Sequence, residues 1–155
     1  MAVIEPMAAA VANSFLLLAQ NDNISISNMK LQKLVYFAYS KYLSETETPL
    51  FNEQFEKWPF GPVLPSLYQR VKGFGKSPII GFIENENGEY NMIDLEINSK
   101  ISFAVLEVWE QYKNYSAKDL SDKTHEPDTA WSKVNDGERL NLMDIKNEYR
   151  YERAS

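Results

Sequence analysis

SNMKLQKLVYFAYSKY, residues 27–42, is the stretch on which the fold turns. Leu31, Leu34, Val35, Ala38 and Tyr42 recur at three- and four-residue intervals, the spacing that gathers side chains on one face of an α-helix. Ser27 stands just ahead of the run, where its hydroxyl can accept from a free N–H of the first turn. The stretch therefore predicts a capped helix with one apolar stripe and with Lys30 and Lys33 together on another face.

The same period extends upstream. Ala8, Val11, Phe15 and Leu18 predict an earlier helix, with Pro6 suited to its first turn and Asn21-Asp22-Asn23 as its stop. Downstream, Ser44 to Pro49 reads as a flexible stretch and Phe51 to Trp58 as a short extended segment. Gly61 and Pro62 then break that segment and are expected to start a third helix, from about Val63 to Lys72, with Leu64, Leu67 and Val71 inward. Ile79 to Ile83 and Tyr90 to Ile93 flank Asn87-Gly88, the favoured pair for a tight turn, and predict a β-hairpin. After Asn98 the helical period returns at Ile101, Val105, Val108, Trp109 and Tyr112. Ser116 with Asp119 forms a capping-box pattern, Asp128 is placed to cap one turn around Trp131, and Ile145 with Tyr149 marks a last helix. The fold class is thus α+β and predominantly helical: five or more helices packed around a small antiparallel sheet with one hairpin, as a single domain over residues 1–155.

Composition narrows the function. A chain of 155 residues with 44% hydrophobic and 13% aromatic content can bury a core. It has no cysteine, which removes disulfides, thiolate nucleophiles and Cys-based zinc sites and suits the cytoplasm. No Lys or Arg precedes Lys30, so the start lacks the positive region of a signal peptide, and its apolar run is interrupted at Asn13 and Ser14, too early to span a bilayer. A soluble, unprocessed protein is expected. The net charge of −6 disfavours a phosphate backbone as main ligand and favours a basic protein partner.

Several constellations invite a chemical reading. Gly73-Phe74-Gly75-Lys76-Ser77 ends like a phosphate-binding loop, but Arg70 occupies the position where that loop needs its first glycine, a helix precedes it and Pro78 follows. A glycine turn leaving a helix accounts for it better. His125, the one histidine, neighbours Glu126 and Asp128 and offers a base or metal ligand, yet no second His or Cys completes a site. It reads as a structural histidine bonded to a helix end. Glu84-Asn85-Glu86-Asn87-Gly88 is too short for a calcium loop, and the pairs Glu53/Glu56 and Asp94/Glu96 have spacings common on surfaces. Lys30, Lys33, Arg70, Lys72 and Lys76 with Tyr36, Tyr39 and Tyr68 could form a basic, aromatic surface for an anion or nucleic acid. Lysine stems covering apolar neighbours and an ordinary charged helix end account for the same residues. No catalytic set, metal or cofactor is expected. Trp58, Phe60, Trp109 and Trp131 serve equally as core or as anchors in a groove.

Lys30-Leu31-Gln32-Lys33-Leu34-Val35-Tyr36-Phe37-Ala38 resembles the signature helix of the Panacea domain, the family of phage-associated proteins and SocA-like antitoxins. Further pieces occur in the family's order: Pro49-Leu50-Phe51, Phe55-Glu56-Lys57-Trp58, Phe60-Gly61-Pro62-Val63 leading to Tyr68, and Leu120-Ser121-Asp122-Lys123-Thr124-His125-Glu126 ahead of Trp131. The resemblance runs from about Ile26 to Tyr149. Glu47 stands where a glycine is common, Phe60 where a tyrosine is common, and Pro59 directly before it. What the resemblance implies is an antitoxin that neutralises a cognate toxin, encoded next door, by direct contact. In the SocA-like branch it also implies delivery of the toxin to an energy-dependent protease. Residues expected to meet a partner are Lys30, Lys33, Tyr36, Trp58, Phe60, Tyr68, His125 and Trp131, with Gly61 and Pro62 as a structural turn and Trp58 and Tyr36 also packing. Two other readings stay open: a nucleic-acid-binding phage or prophage regulator using Lys30/Lys33 and Arg70/Lys76, and a hydrolase or metal enzyme using His125.

Overall fold

Residues 7–97 and 99–154 are described by a computed structural model, with side chains as far as Glu148. Pro6, Asn98 and the side chain of Tyr149 lie outside the described residues. The chain runs α1 (Ala8–Asn21), α2 (Asn28–Thr46), β1 (Glu56–Trp58), β2 (Gly61–Val63), α3 (Pro65–Val71), α4 (Lys100–Tyr112), α5 (Ala117–Thr124) and α6 (Leu142–Ala154), with 3-10 turns at Lys72–Phe74 and Trp131–Lys133. The predominantly helical α+β class is as the sequence predicts.

Helix α2 is the axis around which the other elements pack. Ser27 caps it, accepting from Lys30 N–H at 3.3 Å. Every residue from Lys30 to Lys41 is buried, polar ones included, so the expected apolar stripe with an opposite charged face is corrected to a helix covered on all sides. Buried polar groups need partners, and those of α2 find them on different neighbours. Lys30 donates to Lys113 O at the end of α4 (2.5 Å), and the Gln32 carbonyl accepts from Leu64 N–H at the start of α3 (3.0 Å). Lys33 donates to Pro62 O in β2 (3.1 Å), Ser40 to Ile145 O in α6 (3.0 Å), and Lys41 pairs with Glu107 of α4 (2.5 Å) and Glu45 (2.7 Å). Each bond fixes the register of one element against the axis. Tyr39, Phe51, Phe55 and Tyr36 form the aromatic centre, where burial pushes the Tyr39 hydroxyl up to about 12.

The helix also runs into the stretch expected to be flexible. It ends at Thr46, and Glu47 closes it in the left-handed conformation (φ 60°), a backbone shape glycine adopts at least cost.

The hairpin lies elsewhere than expected. Its strands are β1 and β2, antiparallel, with Glu56 opposite Val63, Lys57 opposite Pro62 and Trp58 opposite Gly61. Gly61 and Pro62 therefore stand in a strand, not at a helix start. The helix begins at Pro65, whose ring suits the first helical position and holds Leu64 extended (φ −88°, ψ 112°). The far side of β1 is covered by residues 137–140 through Lys57 N–H to Glu138 O, Gly137 N–H to Lys57 O and Leu140 N–H to Phe55 O.

At residues 79–93, where the sequence predicts the hairpin, only Glu84 and Tyr90 form a bridge, closing a turn at Gly88 (φ 76°). The strands fail to pair because α1 takes their backbone groups. Buried Asn13 donates to Ile83 O and Asn91 O (both 2.9 Å) and accepts from Ile83 N–H (2.7 Å), while Ser14 accepts from Ile93 N–H (3.1 Å). Asn13 and Ser14 thus clip this segment onto the core.

The other helix starts follow local rules. Ser99 and Ser102 form a reciprocal capping box on α4, and Ser116 accepts from Asp119 N–H at α5. The turn around Trp131 is held by Thr129, which accepts from Ser132 N–H at 3.3 Å, while Asp128, expected as the cap, is left-handed (φ 69°).

Candidate functional site

A groove of about 610 Å³ opens between the start of α2, the β1–β2 hairpin, the end of α3 and the start of α5. Trp58, Phe60, Val63 and Tyr68 supply its apolar walls, and Lys72 and Lys76 its cations, with Lys33 buried at its floor. Trp58 meets Tyr68 edge-on at 4.8 Å, and Phe60 at the lip is 65% exposed, an unusual display for a phenyl ring.

The backbone at Phe60 is tied down. Ser121 donates to Phe60 O at 2.7 Å, and His125 Nε2 lies 2.8 Å from Pro59 O. Two successive carbonyls of the β1–β2 turn are thus held by one face of α5. The other imidazole nitrogen, Nδ1, lies 2.6 Å from Ser121 O in the last turn of that helix. Both ring nitrogens of His125 lie within hydrogen-bonding distance of backbone carbonyls, and a neutral imidazole can donate to one of the two; the ring packs on Trp131 at 4.1 Å. Trp131 in turn donates its indole N–H to Trp58 O at 2.8 Å, with the Lys57 ammonium 3.9 Å from its ring centre. The residues 120–131 therefore act as a brace behind the hairpin.

Beneath the groove, Gly61 has φ 114°, and a β-carbon there would stand 2.5 Å from Thr124 Oγ1 and 2.6 Å from Lys33 Cε. Glycine is required on both counts, and its absent side chain is what lets the Lys33 stem pass. Lys33 is fully buried, and burial lowers its ammonium from the ordinary 10.5 to about 7.

Of the residues singled out from sequence, Lys33, Trp58, Phe60 and Tyr68 meet at the groove, while His125 and Trp131 form the brace behind it. Lys30 and Tyr36 lie elsewhere, in the interior. Lys30 is 6% exposed, and Tyr36, 0% exposed, donates to Glu148 of α6 at 2.9 Å. Arg70 donates to Glu84 O at 2.6 Å, away from Lys30, so the basic stripe of Lys30, Lys33, Arg70 and Lys76 does not assemble as one surface. Met29 lines the groove without having been marked from the sequence, and Lys72 and Lys76, named there only for a basic surface, line it too. For Lys72 the signal was its closeness to Lys76 across a glycine turn.

Among the described residues no three His, Cys, Asp or Glu side chains are gathered to hold a metal ion, and no helix is long and apolar enough to cross a membrane.

Comparison with known proteins bears on the whole of this arrangement. Residues 31–132, which contain the brace residues and every groove residue named above except Met29, match the family described as Antitoxin SocA-like, Panacea domain. Antitoxin SocA of Caulobacter vibrioides (strain NA1000 / CB15N) is 31% identical over 159 residues, covering 96% of this chain and 85% of that protein. No solved structure matches the chain.

Proposed function

The chain belongs to the SocA-like antitoxin family with a Panacea domain, and from that premise we propose that it is the antitoxin of a bacterial or prophage toxin–antitoxin pair. It neutralises a cognate toxin, encoded beside it, by direct protein–protein binding, as a single-domain cytoplasmic protein without a catalytic step. The observation that carries this reading is the relatedness to antitoxin SocA along 96% of the chain.

The groove supports binding as the mode of action. Trp58, Phe60 and Tyr68 are the large, partly exposed side chains that dominate binding energy at protein interfaces. The His125 ring, set between Ser121 O and Pro59 O, supports a bracing role over a catalytic one. Burial of Lys30 and the diversion of Arg70 weigh against the nucleic-acid regulator. Delivery of the bound toxin to an energy-dependent protease is a second use of the same contact.

Co-expression with the adjacent gene product tests the reading. The neighbour alone should arrest growth, and this chain should restore growth and co-purify with it. A harmless neighbour that fails to co-purify refutes the assignment. A toxin half-life shortened by this chain only in cells with the protease intact would establish the adaptor role.

A further inference from the structure

Charge is distributed unevenly over this acidic chain. With 22 Asp and Glu against 16 Lys and Arg overall, the groove is nevertheless lined by Lys33, Lys72 and Lys76 and, among the described residues, by no carboxylate. Lys72 and Lys76 are exposed at the rim, and Lys33 is fully buried at the floor. An ammonium has three donors. Among the described residues Lys33 uses one, to Pro62 O. The cations that the cleft walled by Trp58, Phe60 and Tyr68 presents to solvent are therefore Lys72 and Lys76.

We propose that this groove seats an acidic anchor of the toxin: one polypeptide segment carrying a carboxylate side chain beside a bulky apolar one. The proposal rests on the antitoxin reading. The apolar residue fills the space between Trp58, Tyr68 and Phe60, and the carboxylate is held by the exposed Lys72 and Lys76 ammonium groups at the rim. A carboxylate leaving water needs donors to replace its hydration, and Lys72 and Lys76 supply them at the edge of an apolar cleft. A nucleic acid fits less well. Tracking a phosphate backbone takes a continuous positive path, whereas here the cations stop at the groove, with Lys30 turned to Lys113 O and Arg70 to Glu84 O. The surrounding net charge of −6 repels any longer polyanion.

The test uses the full chain and two capped peptides, Gly-Phe-Leu-Glu-Phe-Gly and its Gln counterpart, titrated while amide and indole NMR signals are followed. The Glu peptide is expected to shift Lys33, Trp58, Phe60 and Tyr68 and to bind at least fivefold more tightly than the Gln peptide. The double variant K72E/K76E, altered at exposed positions and checked for an unchanged melting temperature, should weaken the Glu peptide at least tenfold. Equal affinity for the two peptides, shifts outside the groove, or tighter occupation of the groove by single-stranded oligothymidylate overturns the proposal. In cells, K72E/K76E should lose neutralisation and regain it when an acidic residue of the toxin is changed to Lys. Full neutralisation by the folded double variant overturns the groove as the toxin's seat while leaving the antitoxin reading intact. Failure of the unaltered chain to neutralise overturns the antitoxin reading itself, so the two failures are told apart by which protein fails.

Discussion

Replacing Lys33 with Met should stabilise this protein at neutral and acid pH, and the gain should fade as the pH rises. Lys33 Nζ is enclosed, with Pro62 O as its hydrogen-bond acceptor and Gly61 against its stem. Burial lowers it from 10.5 to about 7. At about 1.4 kcal/mol per tenfold change in a protonation equilibrium, that displacement costs the fold ~5 kcal/mol at any pH below 7. The sign follows from proton binding: between 7 and 10.5 the unfolded chain holds a proton that the folded chain has released, so stability rises with pH across that window. By pH 9 the remaining penalty is ~2 kcal/mol. Methionine has a similar length and no charge to desolvate, but it leaves Pro62 O without its donor, a loss of about 1–3 kcal/mol. The net expectation is a gain of about 2–4 kcal/mol at pH 6 and a gain near zero at pH 9. Urea unfolding of both proteins at pH 6, 7.5 and 9 measures it. A Met variant destabilised equally at all three pH values would refute the reasoning, because the amine would then be acting by packing or through a well-solvated charge. A penalty of this size is a large part of the 5–15 kcal/mol that holds a typical domain together.

Gly61→Val should lower stability by more than the 1–3 kcal/mol typical of backbone strain, because a clash with Thr124 and Lys33 adds to the φ of 114°; an unchanged thermal midpoint would count against that geometry. Asn13→Ala removes the acceptor and donors that hold Ile83 and Asn91. It should cost about 2–5 kcal/mol for several buried groups left unpaired, and protease cleavage should appear first within residues 79–97. If cleavage begins elsewhere, the clip is not what orders that segment. His125→Ala should lose about 1–3 kcal/mol from its two backbone contacts, yet still neutralise toxin at a temperature where it is folded. Complete loss of protection in the folded variant would show that the imidazole does more than brace Pro59.

Sequence by itself determined the helices, because helix formation is a local matter. The i, i+3, i+4 period at 8–18, 31–42 and 101–112, the serine caps at Ser27 and Ser116, and the stop at Asn21-Asp22-Asn23 all act within a few residues of the backbone they shape. The family resemblance was legible for the same reason, as ordered short motifs. Only the tertiary structure decided where the hairpin lies, since pairing depends on which backbone groups are still free. Asn87-Gly88 has the better turn signal, but Asn13 and Ser14, some seventy residues away, satisfy the backbone of Ile83, Asn91 and Ile93 first. The burial of α2 was equally non-local. Lys30, Gln32, Lys33 and Lys41 look like a solvent-facing set until α3, α4 and β2 close over them, and what makes their burial tolerable is one partner each on those elements. The groove has the same origin. Lys33, Trp58, Tyr68 and Lys76 carry no common spacing in the chain and meet because α2 is the axis and Gly61 leaves room for a lysine to pass.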